Sequence, residues 1–172
     1  SYLDNLVIGK NNTLVLCSKG RSAQPGLLSW ISAKRESENL IWFNKIPENP
    51  SLSDVCGTLK ILKGIKLDQI IAIGGGSCID LAKAISALHY LIPSDGLSVE
   101  TIRKVIKHKE YLSEHSFIDI IALPTTSGTG SEVTKWATIW DMEYKEKLSI
   151  DCVQNYPKAA ILVPEFTVSM PA

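Results

Sequence analysis

Short apolar runs alternate along this chain with segments of helical period. Thr13–Cys17 (TLVLC), Asn39–Ile46 (NLIWFNKI), Gln69–Ile73 (QIIAI) and Ile118–Leu123 (IDIIAL) are rich in β-branched and aromatic residues and run into turn residues, the pattern of buried parallel strands. Between them, Leu52, Val55, Leu59 and Leu62 recur at i, i+3, i+7 and i+10, and Leu81, Ala84, Ile85 and Leu88 at i, i+3, i+4 and i+7. Both spacings predict amphipathic helices. A helix is also expected over Ala23–Arg35, where Leu27, Leu28 and Ile31 form an apolar stripe after Pro25 and Gly26. Another is expected over Ser98–Leu112, with Val99, Ile102, Val105 and Ile106 on one side and Arg103, Lys104, Lys107 and Lys109 on a solvated face. After Thr134 the texture changes, and Trp136–Trp140, Leu148–Val153 and Ala159–Val163 predict added strands with a hairpin at Met142–Lys147. Strand alternating with helix predicts right-handed crossovers: a Rossmann-like α/β fold, an open and mostly parallel sheet with helices on both faces plus a β-hairpin addition.

With 172 residues the chain is expected to form one domain, residues 1–172. Eighteen Lys and Arg balance eighteen Asp and Glu. That balance removes the basic field that a nucleic-acid or anionic-membrane binder shows, so neither partner is expected. A hydrophobic share of 45% against 21% charged, without low-complexity tracts, excludes global disorder. No apolar run reaches the roughly 18 residues of a membrane span, and Ser1–Lys10 is too polar for a signal peptide, so a cytoplasmic location is expected. Cys17, Cys56, Cys78 and Cys152 form no CxxC pair and read as buried thiols. His89, His108 and His115 have no ligand spacing, so no metal is assigned to this chain.

Candidate chemistry begins at Ile71–Asp80, IAIGGGSCID, where a buried strand ends in three glycines and a helix starts at or just after Ser77. Glycines there permit positive φ and close backbone approach, while a helix N-terminus offers unpaired N–H groups and partial positive charge. This loop suits a phosphate or pyrophosphate. Ser77 and Asp80 also match an S-x-x-D capping box, which is compatible with an anion site. Pro124–Thr134, PTTSGTGSEVT, follows the fourth predicted strand and places Thr125, Thr126, Ser127 and Thr129 at a strand's carboxyl end, where open α/β sheets bind ligands. The same segment also reads as a turn in which Ser131 caps a short helix through Glu132.

Taken together, GGGSxxDxAKAI at Gly74–Ile85 and PTTSGTGSEVT at Pro124–Thr134 resemble the paired signatures of the iron-containing (group III) alcohol dehydrogenases. Asn49-Pro50, Lys147 ten residues before Pro157, and Met170-Pro171 fit the same family. The resemblance covers the amino-terminal, cofactor-binding half of such enzymes. It implies that Gly74, Gly75, Gly76 and Ser77 bind the pyrophosphate of a nicotinamide dinucleotide, and that Thr125, Thr126 and Thr129 line the cofactor toward its nicotinamide. It further implies that Lys147 reaches a ribose, that Asp80 lies near the nicotinamide, and that Phe166 stands where the family packs a leucine against adenine.

Two departures carry consequences. Where NAD-dependent members end the first strand in an aspartate, this chain has Ser18, followed by Lys19 and Arg21, and charge then favours NADP(H) over NAD(H). The helical domain with Fe²⁺ or Zn²⁺ ligands that the resemblance implies for the full-length protein is not expected within these 172 residues, so the chain alone is expected to be inactive. The implied activity is hydride transfer between NAD(P)H and a small aldehyde or alcohol, in an assembly that allows a homodimer. TKWATIWD at Thr134–Asp141 and the ending VPEFTVSMPA resemble the phosphonoacetaldehyde reductases of the family. Two rival readings stand beside this one: a 3-dehydroquinate-synthase-like cyclase or lyase, against which PTTSGTGSE argues, and a free-standing nucleotide-binding module.

Overall fold

The computed structural model describes residues 12–18, 40–91 and 96–167. Five strands, β1 (Thr13–Cys17), β2 (Leu40–Phe43), β3 (Gln69–Gly74), β4 (Asp119–Pro124) and β7 (Ala159–Ala160), form one parallel sheet in the order β2-β1-β3-β4-β7. The fold is α/β and Rossmann-like. Side chains alternate across the sheet because successive strand residues point to opposite faces. Leu14, Leu16, Ile70, Ala72, Ile120 and Ala122 share one core cluster with helices α1 (Leu52–Ile61), α2 (Gly76–Leu88) and α3 (Val99–Lys107). Val15, Cys17, Ile71, Ile73 and Leu123 enter a second cluster, closed by Val163 and Phe166. The helix expected over Ala23–Arg35 lies outside the described residues.

Helix α1 begins at a capping box. Ser51 Oγ accepts from the Asp54 amide at 3.2 Å, and the Asp54 carboxylate accepts from the Ser51 amide at 2.8 Å. Helix α3 is shorter than its apolar period predicts, because Lys109 takes a left-handed φ of 55° and a separate 3-10 turn follows at Glu110–Leu112. The expected solvated face of α3 needs correction at Arg103, which is buried and donates to Asp141 at 2.5 Å and 3.2 Å, to Glu143 at 2.5 Å, and to Glu100. Those acids come from the hairpin and from the preceding helical turn, which a one-dimensional charge pattern does not register.

The hairpin consists of β5 (Trp136–Asp141) and β6 (Glu146–Asp151), paired antiparallel as a sheet of their own. Its turn takes Met142–Lys145, so Lys147 sits in β6 opposite Trp140. Ala137, Ile139, Leu148 and Ile150 seat it in the helix-side core. Of the expected strand Ala159–Val163, only Ala159–Ala160 is strand, paired with Ile121 and Ala122 of β4.

Candidate functional site

The chain enters the sheet at β1, adds β2 on one side and then crosses to β3 on the other. This places the topological switch point, where open α/β sheets bind ligands, between the carboxyl ends of β1 and β3. Ser18 lies at one lip, its amide donating to Ile73 O at 3.1 Å, and Gly74–Gly76 lie at the other. The glycines are required for a reason other than the one expected. None of the three adopts positive φ; the described glycines that do are Gly64, Gly128 and Gly130. They are required because a Cβ at Gly74 would stand 2.3 Å from Ser18 Oγ and 2.6 Å from Cys78 Cβ, while one at Gly76 would meet Thr129 Cγ2 at 2.9 Å. At Gly75 the nearest atom would be Thr126 Oγ1, at 3.0 Å.

The glycine loop and the Pro124–Thr134 loop are therefore pressed together. Thr125 N donates to Gly74 O at 3.0 Å, extending the β3–β4 ladder past the strand ends. Thr125 is buried, and its Oγ1 has no hydrogen-bond partner among the described residues. A buried, unpaired hydroxyl costs free energy unless a ligand or water satisfies it.

Three cavities run along this edge of the sheet. A central one of about 490 Å³ is lined by Ser18, Glu48, Gly75, Gly76, Ser77, Thr125 and Thr126, among others. It meets a second, about 420 Å³, at Gly76 and Ser77, where Asn49, Asp80, Thr129, Trp136, Trp140 and Lys147 form the walls. On the other side it meets a third, about 520 Å³, at Thr126, walled by Ser127, Gly128, Leu162, Val163 and Thr167. The shape suits an extended ligand.

Helix α2 starts at Gly76, with Gly75 as N-cap and no side-chain cap. The Ser77–Asp80 capping box is thus overturned. Ser77 Oγ instead accepts from the Asn49 amide at 3.1 Å, and Asp80 reaches sideways to accept from Ser131 Oγ at 3.2 Å and Thr138 N at 3.1 Å. The expected Ser131 cap is likewise replaced, since Gly130 precedes the 3-10 turn Ser131–Val133 without a side-chain cap. Burial pushes the Asp80 carboxyl up, opposed by the Thr138 amide, the Lys83 charge and the Ser131 hydroxyl. Burial also raises the Cys17 thiol to about 11, and the Cys78 thiol is driven higher, so both stay protonated beside the loop.

Of the residues singled out from sequence, Ser18, Gly75, Gly76, Ser77, Thr125 and Thr126 meet in the central cavity, and Asp80, Thr129 and Lys147 meet in the second. Gly74 lies buried beneath them. The Lys147 ammonium stands 4.6 Å from the centroid of the Trp140 ring. Phe166 lines none of these three cavities: it is buried with Val163 against the sheet, while the exposed Leu162 lines the third cavity. Lys19 and Arg21 lie outside the described residues. Sequence reasoning missed Glu48, Trp136 and Trp140, which arrive from β2's loop and from the hairpin. It also missed Lys83, a lone cation in a helix whose residues 81–88 are all buried, a pattern visible in the sequence.

The sequence profile of the iron-containing alcohol dehydrogenases matches residues 1–164. The chain belongs to that family. Phosphonoacetaldehyde reductase of Streptomyces viridochromogenes is similar to it, 33% identical over 127 residues that cover 73% of this chain and 31% of the reductase. An iron-containing alcohol dehydrogenase of Thermotoga maritima is 29% identical, with a TM-score of 0.72 over 94% of this chain and 42% of that one. Sulfoacetaldehyde reductase of Bifidobacterium kashiwanohense, solved with NAD⁺, is 25% identical, with a TM-score of 0.70 over 95% of this chain and 41% of that one. The chain thus spans less than half the length of these family members.

Proposed function

We propose that this chain binds the nicotinamide dinucleotide of an alcohol dehydrogenase or aldehyde reductase acting on a small aldehyde, with phosphonoacetaldehyde the favoured substrate. The carrying observation is the run of three adjoining cavities at the switch point, with the buried Thr125 hydroxyl, unpartnered among the described residues, in the central one. The likeness to a phosphonoacetaldehyde reductase and to a reductase solved with NAD⁺ supports the ligand and substrate class.

The residues fit such a ligand. The amides of Gly76 and Ser77, first in a helix of 13 residues, have no intrahelical acceptor and face an anion with the favourable end of the helix dipole. Thr125 Oγ1 would donate to the same phosphates. Ser18 would contact the adenosine ribose, favouring NADP(H), and Leu162 with Val163 would pack the adenine above the buried Phe166. On the other side, Asp80, Thr129 and Lys147 would line the nicotinamide and its ribose, with Trp136 and Trp140 excluding water. When bound, the dinucleotide supplies the hydride donor or acceptor. Among the described residues no group of three or more His, Cys, Asp or Glu comes together that could hold a metal, and no step of this reading is routed through one.

The test is a calorimetric titration of NADPH and NADH into the wild type and Gly75→Asp. A carboxylate beside Thr126 in the cradle is expected to weaken binding of both by at least about tenfold. Unchanged affinity with an intact circular dichroism spectrum would remove the cradle from the reading.

A further inference from the structure

Lys83 lies in the middle of α2 and is fully buried. Its ammonium donates to Trp136 O at 2.9 Å and to Thr134 Oγ1 at 3.4 Å, and makes no direct ion pair among the described residues. One turn earlier on the same helix, Asp80 grips Ser131 Oγ and Thr138 N. Together the two side chains clip residues 131–138 to α2, and Asp80, Ser131, Thr134, Trp136 and Thr138 all line the second cavity. Asp80 is thus a carboxylate in the wall of a cavity assigned to a polyanionic ligand.

We propose that Lys83 is a positioning residue and a buried counter-charge: it neutralises Asp80 behind the cavity wall and holds the Thr134 hydroxyl and the Trp136 carbonyl, so that an anionic dinucleotide binds beside a carboxylate that would otherwise lack a buried counter-charge. This rests on the dinucleotide reading above. Two unlike charges a turn apart in a poorly solvated setting interact far more strongly than in water. Burial lowers the Lys83 ammonium to about 8, against the pull of Asp80 and of Glu132 on the neighbouring 3-10 turn. Of the other charged groups around α2, Lys147 of β6 lines the same cavity as Asp80 with its ammonium over the Trp140 ring, and Lys60 of α1 is exposed. On the β5 side Lys135 is paired with Asp151 and Asp141 with Arg103. β3 carries no charged residue, Asp119 of β4 is held by Lys158, and Asp54 of α1 is held by Ser51. His89, the residue that caps the carboxyl end of α2, is shifted below its usual value by burial.

As pH rises through about 8 the cation is lost, Asp80 and Glu132 are left uncompensated, and affinity for an anion falls. The experiment titrates NADH, whose diphosphate keeps a constant charge here, against the wild type, Lys83→Met and Lys83→Met/Asp80→Asn from pH 7 to 9.5 by tryptophan fluorescence, with ligand-free thermal melts of each. The wild type is expected to weaken several-fold across pH 8. Lys83→Met is expected to bind about fivefold more weakly at pH 7 with no step near pH 8, and the double variant to recover both affinity and melting temperature, because the carboxylate in need of a counter-charge is gone. Wild-type affinity and pH profile in Lys83→Met, or a double variant no better than the single one, would overturn the counter-charge and leave Lys83 a hydrogen-bond donor to Trp136. If the wild type binds no NADH, the dinucleotide reading fails on its own, and the melts still decide whether Asp80→Asn restores stability to Lys83→Met.

Discussion

At the scale of single residues, one substitution separates two roles of glycine. Gly57 is exposed within α1, and a Cβ there would meet nothing within 4 Å. Gly57→Ala is expected to stabilise the fold by about 0.5–1 kcal/mol, since alanine loses less chain entropy in a helix. Gly74→Ala is expected to destabilise it by about 1–3 kcal/mol, because the new methyl overlaps Ser18 and Cys78 in a packed turn. Denaturant melts of the two variants check the opposite signs. Coenzyme choice also belongs to single residues. Ser18→Asp is expected to lower NADPH affinity by at least about tenfold while leaving NADH affinity similar or improved, because a carboxylate repels a 2′-phosphate that a hydroxyl would receive. Glu48 lines the same cavity and would oppose such a phosphate, so Glu48→Gln is expected to raise NADPH affinity. Equal wild-type affinities for NADH and NADPH at matched ionic strength would refute the preference.

At the scale of elements, the hairpin depends on α3. Arg103 is buried against Asp141, whose carboxyl is held below the usual carboxylate range by the Arg103 hydrogen bond despite its burial. Arg103→Leu is expected to cost roughly 3–5 kcal/mol, since it leaves a buried carboxylate without its cation. The pH dependence has a definite sign. Asp141 binds its proton more weakly in the folded state, so its contribution is full above about pH 4 and is lost as pH falls below that. Melts from pH 3 to pH 6 should show this acid loss in the wild type and lose it in Arg103→Leu; an unchanged profile would assign the acid sensitivity elsewhere. The hairpin's existence was legible in its alternating β5 and β6 residues. Its partner was not, because Arg103 carries the same charge as the solvated lysines beside it, and only the approach of Asp141 distinguishes it.

At the scale of the whole molecule, strand order governs where chemistry can occur. With β1 between β2 and β3, the only described crevice where neighbouring loops diverge lies between Ser18 and Gly74–Gly76. The antiparallel hairpin and the segment after β7 then wall that crevice from either side, bringing Trp136, Trp140 and Lys147 to one end and Leu162 to the other. What the chain's own order of residues determined is local: strands from short apolar runs, helices from their period, and two loops rich in glycine and hydroxyls at strand ends. Those properties depend on neighbours a few positions apart, so they are written in one dimension. Only the tertiary structure decided that the three glycines answer to steric contact with Ser18, Thr126 and Thr129 rather than to positive φ, that Asp80 turns from its own helix end to Ser131 and Thr138, and that Phe166 goes into the core. Each of these outcomes is set by atoms from segments 43 to 151 residues away in the chain being forced into contact by close packing, and sequence spacing carries no record of which segments meet.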